Sequence, residues 1–441
     1  MNACKLLVPA LAISLAVASH SAIAADTNST YSEVASDAVI GSSDTTVLVS
    51  SINLPKATWV YLQTDGRAYP NYGGAISAIW ITADGSPVGS TSVIDWSVSK
   101  DPQQHSYNAI GAVYLKAGTH TIALHARSLN SVAYTLGATS NLDVLVNPAT
   151  TVTKAQVPSD TGQLTYNVYA LPATSALPTG IQASATVNGA NGSTLVALSS
   201  ARIYEYGHDG DPLTTIGMDG SSLPIDQASW SDNDMYGYAE NQAPFFTHAL
   251  IKNLSTVNHT LQLMTSALPY SSGNNQVAYR MGAGSTLIGL QGGMSVVGSS
   301  PQGTDAHNVT KYICVGTSQN WAGCPNIGTA VPIAQADITI PAGNNGVVLI
   351  TGKTRIQGGN SDAGGTGYLY LTVDGVRKGS LGVQQLQSPD SVSTRTLGTS
   401  YLATGANALA PGTHHVVLYA QASGSFIHLA YTLDLPLIWF D

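Results

Sequence analysis

The sequence predicts an all-β protein of three tandem antiparallel β-sandwich or jelly-roll domains, and three observations predict this fold class. Short runs of alternating apolar and polar residues recur between glycine-rich turns, with almost no helical periodicity. Charged residues make up only 9% of the chain, and Gly, Ser, Thr, Ala and Asn, which suit strands and tight turns, take their place. Apolar residues make up 44%, a normal fraction, so the chain is not disordered. One set of three sequence landmarks also occurs three times in the same order.

The first element in chain order is a secretory signal peptide at residues 1–24. The apolar run "LLVPALAISLAVA" is followed by "SAIA", whose small residues fit a cleavage site after Ala24. The run is shorter than a typical membrane span. We therefore expect a secreted, extracellular or cell-surface protein without a membrane anchor. Residues 25–43 follow as a polar N-terminal arm, which precedes the first repeat and has no counterpart inside it.

The repeated landmarks are an opening strand, a strand that ends in an Asp-Gly turn, and a strand that begins with histidine. Asp-Gly is a preferred pair for a two-residue hairpin turn because glycine accepts a positive φ. The interval from Asp219 to Asn258 equals the interval from Asp374 to Thr413. The turns and histidines are Asp84-Gly85, Asp219-Gly220, Asp374-Gly375, His120, His259 and His414.

These landmarks divide the chain after the arm into three units and a linker. The linker is punctuated by prolines and has room for one edge strand. The second unit is enlarged by a loop that contains both cysteines of the exported chain. The predicted ranges are 44–148 for unit 1, 149–180 for the linker, 181–334 for unit 2 and 335–441 for unit 3.

Cys314 and Cys324 are the cysteines that remain after the signal peptide is removed. In an exported chain such a pair is expected to form a disulfide. Two thiolates are too few for a structural zinc site. We therefore predict a bridge between them that closes the loop of unit 2.

The repeated histidines are candidates for a metal site, a catalytic base or scaffold. Residues two apart share one face of a strand, so His120 lies with Ile122 and Leu124 on the apolar face. A metal site needs three or four ligands, and a catalytic histidine needs a partner within hydrogen-bond distance. No neighbouring carboxylate repeats with the three histidines. We expect their rings to pack at the rim of the core and to hydrogen-bond a turn backbone.

The middle unit has the densest set of acidic and aromatic residues. Closely spaced loop carboxylates are calcium ligands, and exposed aromatic rings beside them would stack on sugars. The alternative is that the acids cap turns while the aromatics fill an enlarged core. Glu205 and Glu240 are the one glutamate pair suited to glycoside hydrolysis. The candidate calcium ligands are Asp209, Asp211, Asp232 and Asp234, and the candidate sugar-binding residues are Tyr204, Tyr206, Trp230, Tyr236 and Tyr238.

The third unit carries the clearest resemblance to known domains. Its segments "YLYLTVDGVRKG", "LAPGTHHVVLYAQ" and "LPLIWF" resemble jelly-roll domains of the tumour-necrosis-factor and complement globular-head type. In the first unit, "VYLKAGTHTIALHARS" also resembles the closing strands of jelly-roll carbohydrate-binding modules. The first resemblance implies trimeric assembly and the second implies glycan binding. Both rest on strands and turns, and neither assigns binding residues.

The sequence therefore favours an exported, non-catalytic structural or adhesive surface protein. Its net charge of -9 argues against nucleic acid, which rewards basic stretches. We expect the arm at 25–43 to add a strand to a neighbouring copy and build an oligomer or filament. The alternatives are a secreted, lectin-like glycan-binding protein, calcium-dependent or not, and, less favoured, a polysaccharide-active enzyme. The sequence indicates no particular organic cofactor, and calcium is the one ion that it suggests.

Overall fold

The fold is known from a computed structural model of the chain. It describes residues 28–72, 74–96, 104–160, 164–167, 180–206, 210–222, 229–230, 241–269, 276–292, 294–297, 312–314, 330–342, 346–358, 365–386, 394–424, 427–434 and 437–440. These residues are almost entirely β-strand, with one short 3-10 helix at Gly405–Asn407. The prediction of tandem antiparallel sandwiches is confirmed. In the described ranges no helix is long and apolar enough to cross a membrane. The predicted signal peptide lies outside these ranges.

Among the described residues, ten strands form the first sandwich: β1 (Thr30–Glu33), β2 (Ala38–Ile40), β3 (Thr45–Leu54), β4 (Thr58–Pro70), β5 (Ile76–Ala83), β6 (Ser86–Asp95), β7 (His105–Leu115), β8 (Gly118–Ser128), β9 (Tyr134–Leu136) and β10 (Asn141–Val146). One sheet has the order β1-β10-β4-β9-β2, with β7 also paired to β4. We call it the inner sheet because it faces the other units. The outer sheet has the order β3-β8-β5-β6.

The second sandwich repeats this plan with strands β11 (Thr151–Gln156), β12 (Leu164–Asn167), β13 (Gly180–Val187), β14 (Leu195–Tyr206), β15 (Gly210–Met218), β16 (Ser221–Ser222), β17 (Ser229–Trp230), β18 (Asn241–Ile251), β19 (His259–Pro269), β20 (Gln276–Met281) and β21 (Thr286–Gln291). Its inner sheet has the order β11-β21-β14-β20-β12, with β18 also paired to β14. Its outer sheet has the order β13-β19-β15-β16, with β17 also paired to β15.

The third sandwich contains β22 (Met294–Val297), β23 (Tyr312–Cys314), β24 (Val331–Ile340), β25 (Val347–Gly358), β26 (Gly365–Val373), β27 (Val376–Leu386), β28 (Thr394–Ala403), β29 (Gly412–Gly424), β30 (Ile427–Asp434) and β31 (Leu437–Phe440). The inner sheet has the order β22-β31-β25-β30-β23, with β28 also paired to β25. The outer sheet has the order β24-β29-β26-β27.

Each sandwich has its own apolar core between its two sheets. Alternation along the strands supplies it: on β8, Ile122, Leu124 and Ala126 are buried in the core of unit 1, while Thr121 and Arg127 are exposed on the other face. Separate clusters of the same kind fill the second and third sandwiches. The apolar face predicted for the histidine strand is therefore the core face.

The segments assigned to an arm, a linker and a loop contain strands that occupy equivalent places. β1, β11 and β22 pair with the last strand of the inner sheet in their own unit. β2, β12 and β23 pair in the same way with β9, β20 and β30. The segment at 25–43 therefore has counterparts in both other units, and its strands belong to the first sandwich. The sequence did not indicate this because strands such as "TYSE" are short and polar.

The three sandwiches close head to tail around one another. β6 of the first unit packs on β14 and β18 of the second, and β17 of the second packs on β28 of the third. β27 of the third unit packs on β4 and β7 of the first. The third unit thus contacts the first as the first contacts the second, which closes the ring. Three units of a single chain are arranged as the subunits of a cyclic trimer would be.

Candidate functional site

The inner sheets of all three units meet in one buried apolar cluster, which we call the junction. Tyr61, Val196 and Leu349 stand at corresponding places on the central strands β4, β14 and β25, each opposite an aliphatic residue of the last strand in its sheet. The other buried members are Ile110, Ala112, Leu145, Ala149, Leu198, Phe246, Ile288, Leu290, Val347 and Leu402. These side chains lie outside the three sandwich cores, so they stay buried only while the units remain together.

Beside the junction, a buried polar network joins unit 3 to unit 1. The Ser400 hydroxyl on β28 donates to Oδ2 of Asp143 on β10 at 2.7 Å. Asn141 Nδ2 donates to the Ser400 carbonyl oxygen at 3.0 Å and to Asp143 Oδ2 at 3.2 Å. Asn141 Oδ1 accepts the backbone N–H of Asp65 at 2.8 Å. One serine of the third unit is therefore part of the hydrogen bonding inside the first.

A second buried carboxyl group, that of Asp65 on β4, extends the network. It accepts hydrogen bonds from Gln63 Nε2 at 2.6 Å and Asn108 Nδ2 at 2.8 Å. Burial raises the pKa of Asp65. Burial, with a contribution from the charge of Asp65, raises the pKa of Asp143 to about 8. Because an ionised carboxylate is costly in a dry site, we infer that Asp143 is largely protonated at neutral pH.

The other two pairs of units are also joined by polar contacts. Between the first and second units, Ser200 Oγ donates to the Asn108 carbonyl oxygen at 3.2 Å. Lys154 Nζ of the second unit donates to a carbonyl oxygen of the first at 3.1 Å. Between the second and third units, Thr351 Oγ1 and His248 Nδ1 lie 3.2 Å apart. The junction is therefore held by both apolar burial and hydrogen bonds on every side.

Each repeated histidine is held by the aspartate of its own Asp-Gly turn, in an arrangement that we call the clasp. His120 Nδ1 lies 2.7 Å from Asp84 Oδ2, and Asp84 Oδ1 accepts the N–H of Thr121 at 2.9 Å. The turn aspartate has a positive φ of 49°, as this type of hairpin turn requires. The same 2.7 Å contact joins the other two pairs, His259 with Asp219 and His414 with Asp374.

The clasp confirms one expectation about the histidines and corrects another. Nε2 of His120 lies 2.8 Å from the Lys116 carbonyl oxygen, so the ring does contact a turn backbone. The expectation that no carboxylate accompanies the histidines was wrong, because Asp84 is distant in sequence and adjacent in the sheet. Its hydrogen bond raises the pKa of His120, which in return lowers the pKa of Asp84. The available signal was that an Asp-Gly turn precedes the histidine strand in all three units, by the same interval in units 2 and 3.

Most side chains predicted to form a site in the middle unit lie outside the part of the chain that the structure describes. Tyr204 on β14 is half-buried, with its ring 5.0 Å from the guanidinium of Arg202. Only the backbone is described at Glu205 and Tyr206 on β14, Asp211 on β15, Trp230 on β17 and Cys314 at the end of β23. The other predicted residues lie outside the described ranges: Asp209, Asp232, Asp234, Tyr236, Tyr238, Glu240 and Cys324. The sugar site, the calcium site and the disulfide stay predictions.

An aromatic ladder crosses the outer sheet of unit 1, and sequence reasoning missed it. Trp80 on β5 stacks on His125 on β8, with ring centroids 5.5 Å apart. The guanidinium of Arg127 lies 5.8 Å from the Trp80 ring. His125 Nδ1 is 2.7 Å from Asp44 Oδ1. These half-buried rings and their charged neighbours form a polar-aromatic stripe on the solvent side of the sheet.

The ladder recurs in unit 3 and is absent from the described part of unit 2. Tyr370 stacks on Tyr419 at 5.5 Å, with the guanidinium of Arg377 at 5.3 Å from the Tyr370 ring. The corresponding residues of unit 2, Thr215 and Met264, are buried. The sequence did contain a signal for the ladder, because Trp80 and Tyr370 precede the aspartates of their Asp-Gly turns by the same number of residues.

No family model and no curated protein matches the chain. Among solved structures, the chain is similar to that of the infectious bursal disease virus Gt strain, at 10% identity and a TM-score of 0.24, covering 96% of this chain and 82% of that one. It is similar to that of Sulfolobus Turreted Icosahedral Virus at 8% identity and a TM-score of 0.17, covering 91% of each chain. A third is dimeric latent PorU from Porphyromonas gingivalis, at 10% identity and a TM-score of 0.19, covering 82% of this chain and 32% of that one. At these TM-scores the likenesses carry no functional argument.

Proposed function

We propose that this protein is an exported structural surface protein whose single chain forms a rigid, trimer-like head. The observation that carries the proposal is the closure of three sandwiches around the junction. Apolar burial and hydrogen bonds between every pair of units oppose their separation. A body of this kind presents fixed outer faces to its surroundings, which suits a building block or an adhesive head.

We further propose that copies associate through contacts between faces and not by strand exchange. The N-terminal segment cannot be donated to a neighbour without opening the β1–β10 ladder in its own unit. The outer-edge strands β3, β13 and β24 each contain an irregularity, and such bulges discourage edge pairing. The irregularities lie between Thr46 and Leu48 on β3, between Ile181 and Ala183 on β13, and between Pro332 and Ala334 on β24. This proposal replaces assembly through a free arm.

Two exposed apolar side chains of unit 1 are the first candidates for such contacts. Tyr72 is 78% exposed and Val39 is 67% exposed, the highest values among the large apolar residues described. Light scattering on the purified mature chain should show a mass that rises with concentration above that of one chain. The double variant Val39→Asp, Tyr72→Ser should lower that mass, while Val376→Asp, an exposed site on unit 3, should leave it unchanged.

A chain that stays monomeric at every concentration would reject self-association. Export is tested separately by N-terminal sequencing of the protein from its native host, which should begin after Ala24. Protease treatment of intact cells should then remove the protein, and complete protection would place it elsewhere.

Glycan binding is the second candidate function, and the aromatic ladders favour it. Stacked rings flanked by arginine offer both apolar and hydrogen-bonding surface to a saccharide. A glycan array with the intact chain, Trp80→Ala and Tyr370→Ala tests the ladders. Trp230→Ala and a calcium chelator test the site predicted in the middle unit. The variant that loses binding identifies the site, and a blank array for the intact chain rejects this candidate.

A further inference from the structure

The clasp of the middle unit differs from the other two at a single position. In units 1 and 3, Nε2 of the clasp histidine faces a backbone carbonyl oxygen, that of Lys116 or Ala410. In unit 2 the hydroxyl of Ser255 takes this place, with Oγ at 2.9 Å from Nε2 of His259. Ser255 precedes its histidine by the same interval as Lys116 and Ala410 precede theirs. The middle clasp therefore contains a serine, a histidine and an aspartate in one hydrogen-bonded series.

The partners of a histidine ring determine where its protons lie. In units 1 and 3 both ring nitrogens face acceptors, a carboxylate and a carbonyl, so both nitrogens must carry a proton to satisfy them. A serine hydroxyl is a donor as well as an acceptor. His259 can therefore donate its Nδ1–H to Asp219 Oδ2, at 2.7 Å, and accept the Ser255 hydroxyl at Nε2. Only this clasp leaves a ring lone pair directed at a nucleophile.

We propose that Ser255, His259 and Asp219 form a nucleophilic relay through which Ser255 accepts acyl groups from activated esters, an activity that the clasps of units 1 and 3 lack. Ser255 is the nucleophile and His259 the general base that takes its proton. Asp219 is a positioning residue, whose Oδ1 also accepts the N–H of Thr260 at 2.8 Å and so fixes the carboxylate. The inference goes beyond the structural role and departs from the expectation of a non-catalytic chain.

The loop that carries Ser255 is fastened to the rest of the unit next to the nucleophile. Leu254 is buried, its N–H donates to the Ser193 carbonyl oxygen at 3.0 Å, and its own carbonyl accepts the N–H of Gly192 at 2.9 Å. Ser255 is exposed, whereas the His259 side chain is only 12% exposed. A fixed loop with an accessible hydroxyl is the arrangement that positions a nucleophile without further ordering.

The proposed reaction has two steps. The Ser255 oxygen forms a bond to the carbonyl carbon of the ester while its proton moves to Nε2 of His259. The carbonyl electron pair moves onto oxygen and returns as the bond to the alkoxide or phenoxide leaving group breaks, and that group takes the proton from His259. Water then forms a bond to the acyl carbon and gives a proton to His259, and the bond between that carbon and the Ser255 oxygen breaks as the carboxylic acid leaves. His259 returns the proton to Ser255, which restores the relay.

The test uses the intact mature chain with a fluorophosphonate probe and with p-nitrophenyl acetate. The probe forms an oxygen–phosphorus bond at an activated serine and releases fluoride, and peptide mass spectrometry locates it. Ser255 should be labelled at least tenfold faster than other exposed serines, and Ser255→Ala should abolish p-nitrophenolate release above the solution rate. Asp219→Asn should slow labelling at least tenfold and change its pH profile, because the ring loses its ionised partner.

Two matched variants separate the relay from a scaffold role. Asp84→Asn and Asp374→Asn disturb the corresponding clasps of units 1 and 3, which contain no serine. Both variants should leave the labelling of Ser255 unchanged. Far-ultraviolet circular dichroism confirms that every variant is folded. The proposal is overturned if Ser255 reacts no faster than other exposed serines, or if Asp219→Asn labels Ser255 at the rate and with the pH profile of the intact chain.

Discussion

The hydroxyl of Ser400 donates a 2.7 Å hydrogen bond to Oδ2 of Asp143, which stands 257 positions earlier in the chain. The two residues belong to the third and first units, so only closure of the ring brings them together. Both residues are buried. This contact therefore reports on the arrangement of the three units as well as on local packing.

Loss of the Ser400 hydroxyl should weaken the whole body. In Ser400→Ala, Asp143 loses a hydroxyl donor inside a buried site, which should lower the free energy of unfolding by about 2 kcal/mol. Urea denaturation measures this loss. Ser255→Ala, at an exposed position, serves as the control and should cost less than about 0.5 kcal/mol. Equal losses in the two variants would show that the network contributes little.

The raised pKa of Asp143 predicts that stability falls with rising pH. The folded state keeps a proton on Asp143 up to about pH 8, while the unfolded chain releases it near the ordinary aspartate pKa of 3.8. Since the folded state binds the additional proton between these values, the free energy of unfolding should decrease as pH rises through this interval. Denaturation at pH 6 and pH 9 should show a steeper decrease for the natural chain than for Asp143→Asn. Parallel curves would contradict the assignment.

The clasp of unit 1 should contribute most at mildly acidic pH. The raised pKa of His120 stabilises the folded state fully below pH 6.5, the ordinary pKa of histidine. This stabilisation is lost as pH rises through the pKa of His120 in the folded state. The lowered pKa of Asp84 gives stability that is present above 3.8 and is lost as pH falls through the folded value.

Asp84→Asn keeps an acceptor for Thr121 and tolerates the positive φ. The free energy of unfolding of this variant should therefore fall furthest below that of the natural chain between pH 3.8 and 6.5. The deficit should stay below about 1 kcal/mol because the aspartate is half-exposed. Thermal melts at pH 5.5 and pH 9 check this, and a deficit that grows toward pH 9 would refute it.

Gly379 should be intolerant of any side chain because of the contact between β27 and β28. Its φ is +72°, and an added Cβ would overlap the carbonyl oxygen of Ser400. Gly375 has a similar φ of +79° but open space around it. Gly375→Ala should cost about 1–2 kcal/mol from backbone strain alone, and Gly379→Ala clearly more. Similar melting temperatures for the two variants would contradict the close approach.

Removal of the N-terminal strands should destabilise unit 1 and not merely prevent assembly. A mature chain that begins after Ile40 lacks β1 and β2, which leaves β10 and β9 paired on one side only, each with β4. Limited proteolysis should then cleave unit 1 faster than in the full mature chain. If the shortened chain resists protease equally, the segment is a dispensable arm after all.

The architecture of each unit could be predicted because its signals are local. The Asp-Gly pairs specify hairpin turns, and the alternation after His120 specifies a strand with one apolar face. β1 and β2 could not be recognised, because both are very short and pair with strands far away in the chain, and β1 is also polar. The His120–Asp84 pair was missed for a related reason, since the two residues become neighbours only when β5 and β8 pair.

The contacts between units could not be predicted from local sequence patterns. Asp143 and Ser400 are ordinary strand residues in the sequence, and only the burial of both inner sheets makes them a pair. The predicted site in the middle unit rested on composition, which indicates which residues are present but not which ones converge. Ser255 carried no signal by itself, and its significance appears only when the three clasps are compared.

Small-angle X-ray scattering on the monomeric mature chain tests the closed ring most directly. Three sandwiches closed around one junction should give the radius of gyration of a compact protein of this length, about 22 Å. Three independent sandwiches joined in a line would instead give about 30 Å or more, with an elongated distance distribution. A value near 22 Å is the result that the closed ring predicts, and the elongated profile would contradict it.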